Sequence, residues 1–404
     1  MKNFLSVFSV FAAAVLVFSG CAKQAPKCVS PEDNPAHHYS SGMELVEAGK
    51  IDEAGDKFER AIYCDSGYGP AYAGAAIVSA EKAVSARDDA HRKVDADRAF
   101  DLLESAEDNA VTPADDFAWR LASMRIYTTL KPTRKWLGHV EDDYKKAMKL
   151  KVDEKRLLYY EGREAASYFM GAAYLEAREF QAARDRFSDV LNEKKAGRWN
   201  ARADVMWAKA DRIVRALAGV TLGDMGKDIA VKDSVTRGDM AALLIDEVKI
   251  DRLFAGRIPV KSEIDKLKPE FIPVDIKDSP FREEALTMMK WGIRGLEPVY
   301  DEGSKAYLFH PDEPVKRKDF ALALEDILIK ITGDSKIASA FLGHAKSPFP
   351  DVSPTAAWYN AVMNVTTRNI METDLSGEFR PDAVVDGAEA VLAIRVLKQR
   401  LNIY

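Results

Sequence analysis

A glycine and a phenylalanine sixteen residues apart occur twice in this chain, each time with the same companions. Gly42, Leu45, Ala54, Phe58 and Ala61 form one set, and Gly171, Tyr174, Ala183 and Phe187 form the other at matching offsets. Apolar residues three and four apart share one face of a helix. A set spread over this distance therefore describes two helices joined by a turn. A small residue lets the two antiparallel helices approach, and the aromatic fills the wedge towards the next pair. Such a unit cannot bury its apolar face alone, so repetition demands stacked neighbours. From His37 to about Ala218 the chain is rich in Ala, Glu, Lys and Arg, poor in Pro, and helically spaced throughout. Weaker copies fit Tyr72, Ala76, Leu103 and Ala106, with an insertion in the turn at Arg87 to Lys93, and Trp119, Tyr144 and Ala147. Trp199 to Leu217 reads as a long amphipathic helix that would cap the series.

These sets resemble the tetratricopeptide repeat. The resemblance implies a curved solenoid over residues 37–218 whose concave face docks a protein partner. The alternative is a plain spacer, since no ligand signature marks that face.

Past Gly219 the texture changes, and three segments share a plan. The clearest opens Phe349-Pro350-Asp351-Val352, continues through Trp358 and Ile370 to Gly377-Glu378-Phe379-Arg380-Pro381, and ends in a helix from Ala388 to Leu397. A second opens Ile272-Pro273-Val274-Asp275, passes Trp291-Gly292-Ile293, Gly303, Phe309 and Pro311, and ends in a helix from Lys318 to Lys330. The first keeps only Val235-Thr236-Arg237-Gly238-Asp239 and its helix to about Val248. These segments resemble S-layer homology repeats, near 219–256, 271–331 and 347–400. The resemblance implies a mostly helical bundle with pseudo-threefold symmetry that attaches noncovalently to cell-wall polysaccharide or peptidoglycan. Asp275, Asp351 and Trp358 are expected to be structural, as turn-formers and a core aromatic.

The helix starts of these segments carry the candidate chemistry. Thr236 and Asp239 have capping-box spacing, which leaves Arg237 unexplained, because a cation in a first turn opposes the helix dipole. A bound anion would explain it, since arginine grips carboxylates in two bonds. The resemblance extends that role to an acidic group on wall glycan. Lys316, Arg317 and Lys318 crowd the second start, and Lys316 stands where the family has threonine. The third start, Asp386-Gly387-Ala388-Glu389, keeps a capping-box pattern but has glycine in the arginine's place. It is expected to keep its fold and lose that contact. Arg237, Arg317, Lys316 and Lys318 are thus the candidate glycan contacts. The alternative is solvated charge beside helix caps.

The front of the chain adds an address. Lys2, an apolar run from Phe4 to Phe18 too short to span a bilayer, and small residues before Cys21 describe a secretory signal. Phe18-Ser19-Gly20-Cys21 resembles a bacterial lipoprotein signal. The resemblance implies removal of residues 1–20 and acyl chains, palmitate among them, on Cys21. Residues 21–36 then form a lipid-proximal linker. Ala22 after the cysteine resembles outer-membrane sorting, so the expected location is the cell envelope, in the outer membrane facing the periplasm. Cys28 and Cys64 remain for that oxidising compartment. They either pair, tying the arm to the first helices, or stay as two thiols.

A net charge of −6 does not read as a nucleic-acid binder. Phosphate-binding, dinucleotide, nucleophile-elbow and zinc-protease motifs are absent from the sequence, which predicts no enzyme, no metal and no cofactor. The expectation is a mostly all-α lipoprotein bridging membrane and glycan noncovalently. Its rival is an assembly or export lipoprotein in which the helical repeats work and the C-terminal repeats are scaffold.

Overall fold

The computed structural model describes residues 28, 30–194, 196–218, 223–255 and 271–402. Cys21 and the signal before it lie outside the described residues. The chain is mostly helical and divides at Arg163/Glu164 into two compact units. That division falls within the expected repeat region of 37–218. No helix among the described residues is long and apolar enough to cross a membrane.

The first unit is a series of helical hairpins, α1 (Pro35–Glu47) with α2 (Ile51–Cys64), α3 (Gly69–Ser85) with α4 (Asp89–Asp108), and α5 (Pro113–Leu130) with α6 (Trp136–Lys149). Their starts are written locally. Asn34 accepts from the His37 N–H with Pro35 in the first turn, and Thr112 and Asp115 complete a capping box around Pro113. Phe58 explains the glycines. A Cβ on Gly42 would lie 2.7 Å from its ring, and one on Gly74 2.2 Å. Arg87 to Lys93 is not an inserted loop. Asp88 caps the His91 N–H, and residues 89–93 extend α4 by a turn of polar helix.

Cys28 and Cys64 are joined as a disulfide with Cα atoms 5.1 Å apart. Beside it the Asp33 carboxylate accepts from Arg60 Nη2 at 2.6 Å and meets His38 Nε2 at 2.8 Å. The Arg60 bond, then that from His38, lowers its pKa to about 2. After α6, Tyr159 and Tyr160 turn inward and are almost wholly buried. Tyr160 packs edge-on against Phe117 of α5 at 6.1 Å and hydrogen-bonds Tyr39 of α1 and Arg125 of α5. Arg125 in turn pairs with Glu47 at 3.2 Å. The chain's own segment thus fills this side of α1 and α5.

The second unit begins with α7 (Glu164–Glu176), α8 (Phe180–Asn192) and α9 (Arg198–Leu217). Phe187 repeats the part of Phe58, 2.7 Å from a Cβ built on Gly171. Tyr174 is only half-buried, so Phe187 carries the wedge. There follow α10 (Asp224–Ala230), α11 (Arg237–Leu243) running into a π turn at Leu244–Val248, α12 (Ile250–Ala255) and α13 (Arg282–Trp291). A small antiparallel hairpin of β1 (Val299–Asp301) and β2 (Ala306–Leu308) precedes α14 (Arg317–Thr332), α15 (Tyr359–Thr367) and α16 (Gly387–Arg400). The helix α9 lies between α8 and α16.

Three valines knit the C-terminal part together. Val235 N donates to Val385 O at 2.9 Å, Val385 N to Val315 O at 3.0 Å, and Val315 N to Val235 O at 2.9 Å. The bonds run in a closed ring, and all three side chains are buried. Each valine stands two residues ahead of α11, α14 or α16, so the ring brings three helix starts together. Trp358, expected in the core, is half-buried, and its neighbour Tyr359 is the one in the core.

Three outcomes follow from these contacts. Phe58→Ala should cost about 3–5 kcal/mol in urea denaturation, because two glycines leave a cavity nothing else fills. Gly387→Ala should cost about 1–3 kcal/mol or more, since its Cβ would lie 1.7 Å from Ile229 O. Asp33 has a depressed pKa, so the stabilisation it gives is present above about pH 4 and is lost as pH falls towards 2. Asp33→Asn should remove that part of the acid dependence of Tm.

Candidate functional site

The valine ring places Arg237 and Arg317 in equivalent surroundings. Each donates its backbone N–H across the ring, Arg237 to Glu313 O and Arg317 to Ala383 O, both at 2.9 Å. Each Nε then donates to the carbonyl of a buried phenylalanine, Phe309 for Arg237 and Phe379 for Arg317, both at 2.7 Å. The guanidiniums also lie over those rings, at 5.1 Å and 4.7 Å. Arg237 completes its set on Gly295 O at 3.1 Å and Glu297 O at 2.7 Å. Arg317 completes its own on Glu372 O at 2.7 Å and on the Glu389 carboxylate.

The loops that offer these carbonyls are themselves clamped. Asp275 accepts from the N–H groups of Phe309 and His310, and Asp351 from those of Phe379 and Arg380. His310 and Arg380 both adopt left-handed backbone, with φ of 55° and 53°. A side chain there costs about 1 kcal/mol or more, and each is held by its aspartate and a following proline that disfavours the right-handed alternative. The two aspartates are structural, as expected, but as clamps on a distant loop.

These contacts correct the reason for the arginines. The sequence left Arg237 without a partner against the helix dipole, and the structure supplies backbone carbonyls from a loop far along the chain. Both side chains are buried, 7% and 4% exposed. Burial lowers both pKa values, Arg317 to about 10 with Arg380 adding repulsion, which leaves each a cation at neutral pH. Each forms the floor of a groove and is not a rim contact.

The first groove, about 1050 Å³, has Arg237 at its floor and Arg294, Lys316 and Lys318 as its other cations. Its acids are Asp275, Glu297, Asp301, Asp312, Glu313 and Asp319. The second, about 610 Å³, has Arg317 at its floor with Arg212, Arg215, Arg380 and Arg395, against Asp233, Glu372, Asp386 and Glu389. The run Lys316-Arg317-Lys318 is thereby split. Its lysines face the groove of Arg237, and its arginine faces the other. Lys318 Nζ also pairs with Asp382 at 2.6 Å.

Arg294, Arg212 and Arg380 were not singled out from the sequence. Arg294 is fixed by Glu325, which is 1% exposed and accepts from Arg294 Nη2 at 2.6 Å. Asn360 and Asn364 hold the other oxygen of that carboxylate. An acid pair, Glu325-Asp326, inside an apolar helix was the available signal, because buried carboxylates require partners. Arg212 pairs with Asp386 at 2.6 Å.

The third helix start explains its glycine. Gly387 N donates to Lys232 O at 2.9 Å, and the backbone of α10 occupies the place where a side chain would begin. Its capping box is half-formed. Asp386 accepts from Glu389 N at 2.8 Å, while Glu389 turns to Arg317. Lys316 makes no side-chain cap at the start of α14.

Residues 348–391 match the family model of the S-layer homology domain. No curated protein and no solved structure matches the chain. The chain thus carries an S-layer homology domain in its C-terminal part. That stretch holds Asp351, Phe379, Arg380, Asp386 and Glu389, which is one wall of the second groove together with its loop clamp.

Removing a clamp should be costly before any ligand is considered. Asp351→Ala should destabilise by about 1.5–3 kcal/mol in urea denaturation, because two N–H groups lose a charged acceptor. Arg317→Met should cost about 3–5 kcal/mol, since Glu389 is left partly buried and unpaired.

Proposed function

We propose that the C-terminal half binds cell-wall or surface glycan and that the chain bridges this glycan to a membrane. The observation that carries the reading is the S-layer homology domain at residues 348–391, which forms a wall of a groove floored by a buried arginine. The first groove, around Arg237, has the same construction. We read the three segments as one S-layer homology bundle over residues 219–404 and the valine ring as its pseudo-threefold centre. Two of its inter-repeat positions take glycan, and the third is closed by Gly387.

In this reading Arg237 and Arg317 shape the grooves and supply a fixed positive potential. The contacts to acidic groups on glycan come from the rim, through Lys316, Lys318, Arg294 and Arg380. The mixed charge of both grooves suits a polysaccharide, whose acidic groups pair with the cations and whose hydroxyls donate to the carboxylates. Acyl chains on Cys21 hold the other end. Confinement near the envelope raises modest glycan affinity through effective concentration. The helical hairpins of residues 37–218 are tetratricopeptide-like and give reach and a docking surface for a protein of the envelope. Burial of Tyr159 and Tyr160 against α1 and α5 directs that docking to another side of the hairpins.

Sedimentation with purified sacculi tests the reading. The wild type should co-sediment, less so as salt is raised, because exposed charges are screened over about 10 Å at 0.1 M. Lys316→Gln/Lys318→Gln and Arg380→Gln should each reduce binding several-fold with little change in Tm, as the three side chains are exposed or half-exposed. A wild type that never sediments would refute the glycan reading and pass the working role to the helical hairpins.

A further inference from the structure

The strands β1 and β2 form a two-stranded antiparallel sheet in which Tyr300 lies opposite Tyr307. Residues directly opposed in such a pair share a face. The two ring centroids are 5.3 Å apart, and Phe271 adds a third ring 5.9 Å from Tyr307. Exposure is 44% for Tyr300, 53% for Tyr307 and 40% for Phe271, whereas Phe309 and Phe379 beneath the arginines are fully buried. The outer rings therefore contribute little to the core. A cluster of exposed aromatics of this kind marks a binding surface. Tyr300 also belongs to the wall of the first groove, beside Glu297 and Asp301. The aromatic platform begins where the charged groove ends.

We infer that Tyr300, Tyr307 and Phe271 form a stacking platform for neutral sugar rings, across which a polysaccharide seated in the first groove continues outward. This rests on the glycan reading of that groove. The chemistry is complementary. One face of a pyranose ring presents C–H groups with slight positive charge, and an aromatic face carries negative quadrupole density. The carboxylates of the groove accept sugar hydroxyls. The groove grips charge, and the platform reads the uncharged sugars that follow. Three rings are also far short of the roughly 1,200 Å² that a stable protein interface buries, which favours a thin linear ligand over a second copy of this chain.

The test uses the full chain and purified sacculi that retain their attached polymers. Tyr300→Ser/Tyr307→Ser should weaken sedimentation by roughly tenfold in half-saturating concentration, the combined effect of two lost stacking faces. Tyr300→Phe/Tyr307→Phe keeps the rings and should bind like wild type. Circular dichroism and Tm of both variants should match the wild type, since the side chains are exposed. If the wild type sediments and the serine variant does so equally, the platform is overturned while the glycan reading stands. If the wild type does not sediment, both fall together. If sedimentation velocity shows wild-type dimers that the serine variant abolishes, the rings face another copy and the inference is wrong.

Discussion

The C-terminal part of this protein depends on a ring of three backbone hydrogen bonds among Val235, Val315 and Val385. A backbone hydrogen bond contributes on the order of 1 kcal/mol net, so the ring matters less for its energy than for its geometry. It sets three helix starts side by side, each aimed at the loop that precedes the next. Two of those starts carry an arginine, and each arginine donates to several loop carbonyls. The aspartates at 275 and 351 satisfy the N–H groups of the same loops. Cation and anion thus hold opposite polar edges of one loop, and a left-handed residue between phenylalanine and proline is kept in place by both.

The grooves are consequences of that arrangement. Because an arginine of one segment closes on a loop of the next, the space beside it is lined by both. Consecutive residues consequently serve different grooves, as Lys316, Arg317 and Lys318 do. The same architecture closes the third position, where the backbone of α10 meets Gly387 with no room for a Cβ. Glu389, released from a full capping box, becomes the partner of Arg317. A local irregularity in one segment is thereby used in the groove of another.

The helical hairpins obey a simpler rule. Phe58 and Phe187 each press on a glycine sixteen residues earlier. A ring against a bare Cα brings helix axes close, so these positions admit no side chain. Where this pattern is weak, helices simply lengthen, as α3 and α4 do around residues 85–89.

Much of this was legible in order of residues. Glycine–phenylalanine spacing foretold the hairpins, Thr236 with Asp239 foretold a cap, and the repeated Phe-x-Pro loops foretold related segments, because each of these signals is local and rests on helix period or turn chemistry. The partners of Arg237 and Arg317 were not legible. They lie some sixty to seventy residues away along the chain, and a cation whose acceptors are distant carbonyls looks the same in sequence as one awaiting an anion. Arg294 was missed for a like reason, since only folding brings it to the buried Glu325. Local sequence determined which helices form and where they begin. The tertiary structure alone decided which polar groups meet, because hydrogen-bond partners are chosen by proximity in space, and the ring of valines sets that proximity.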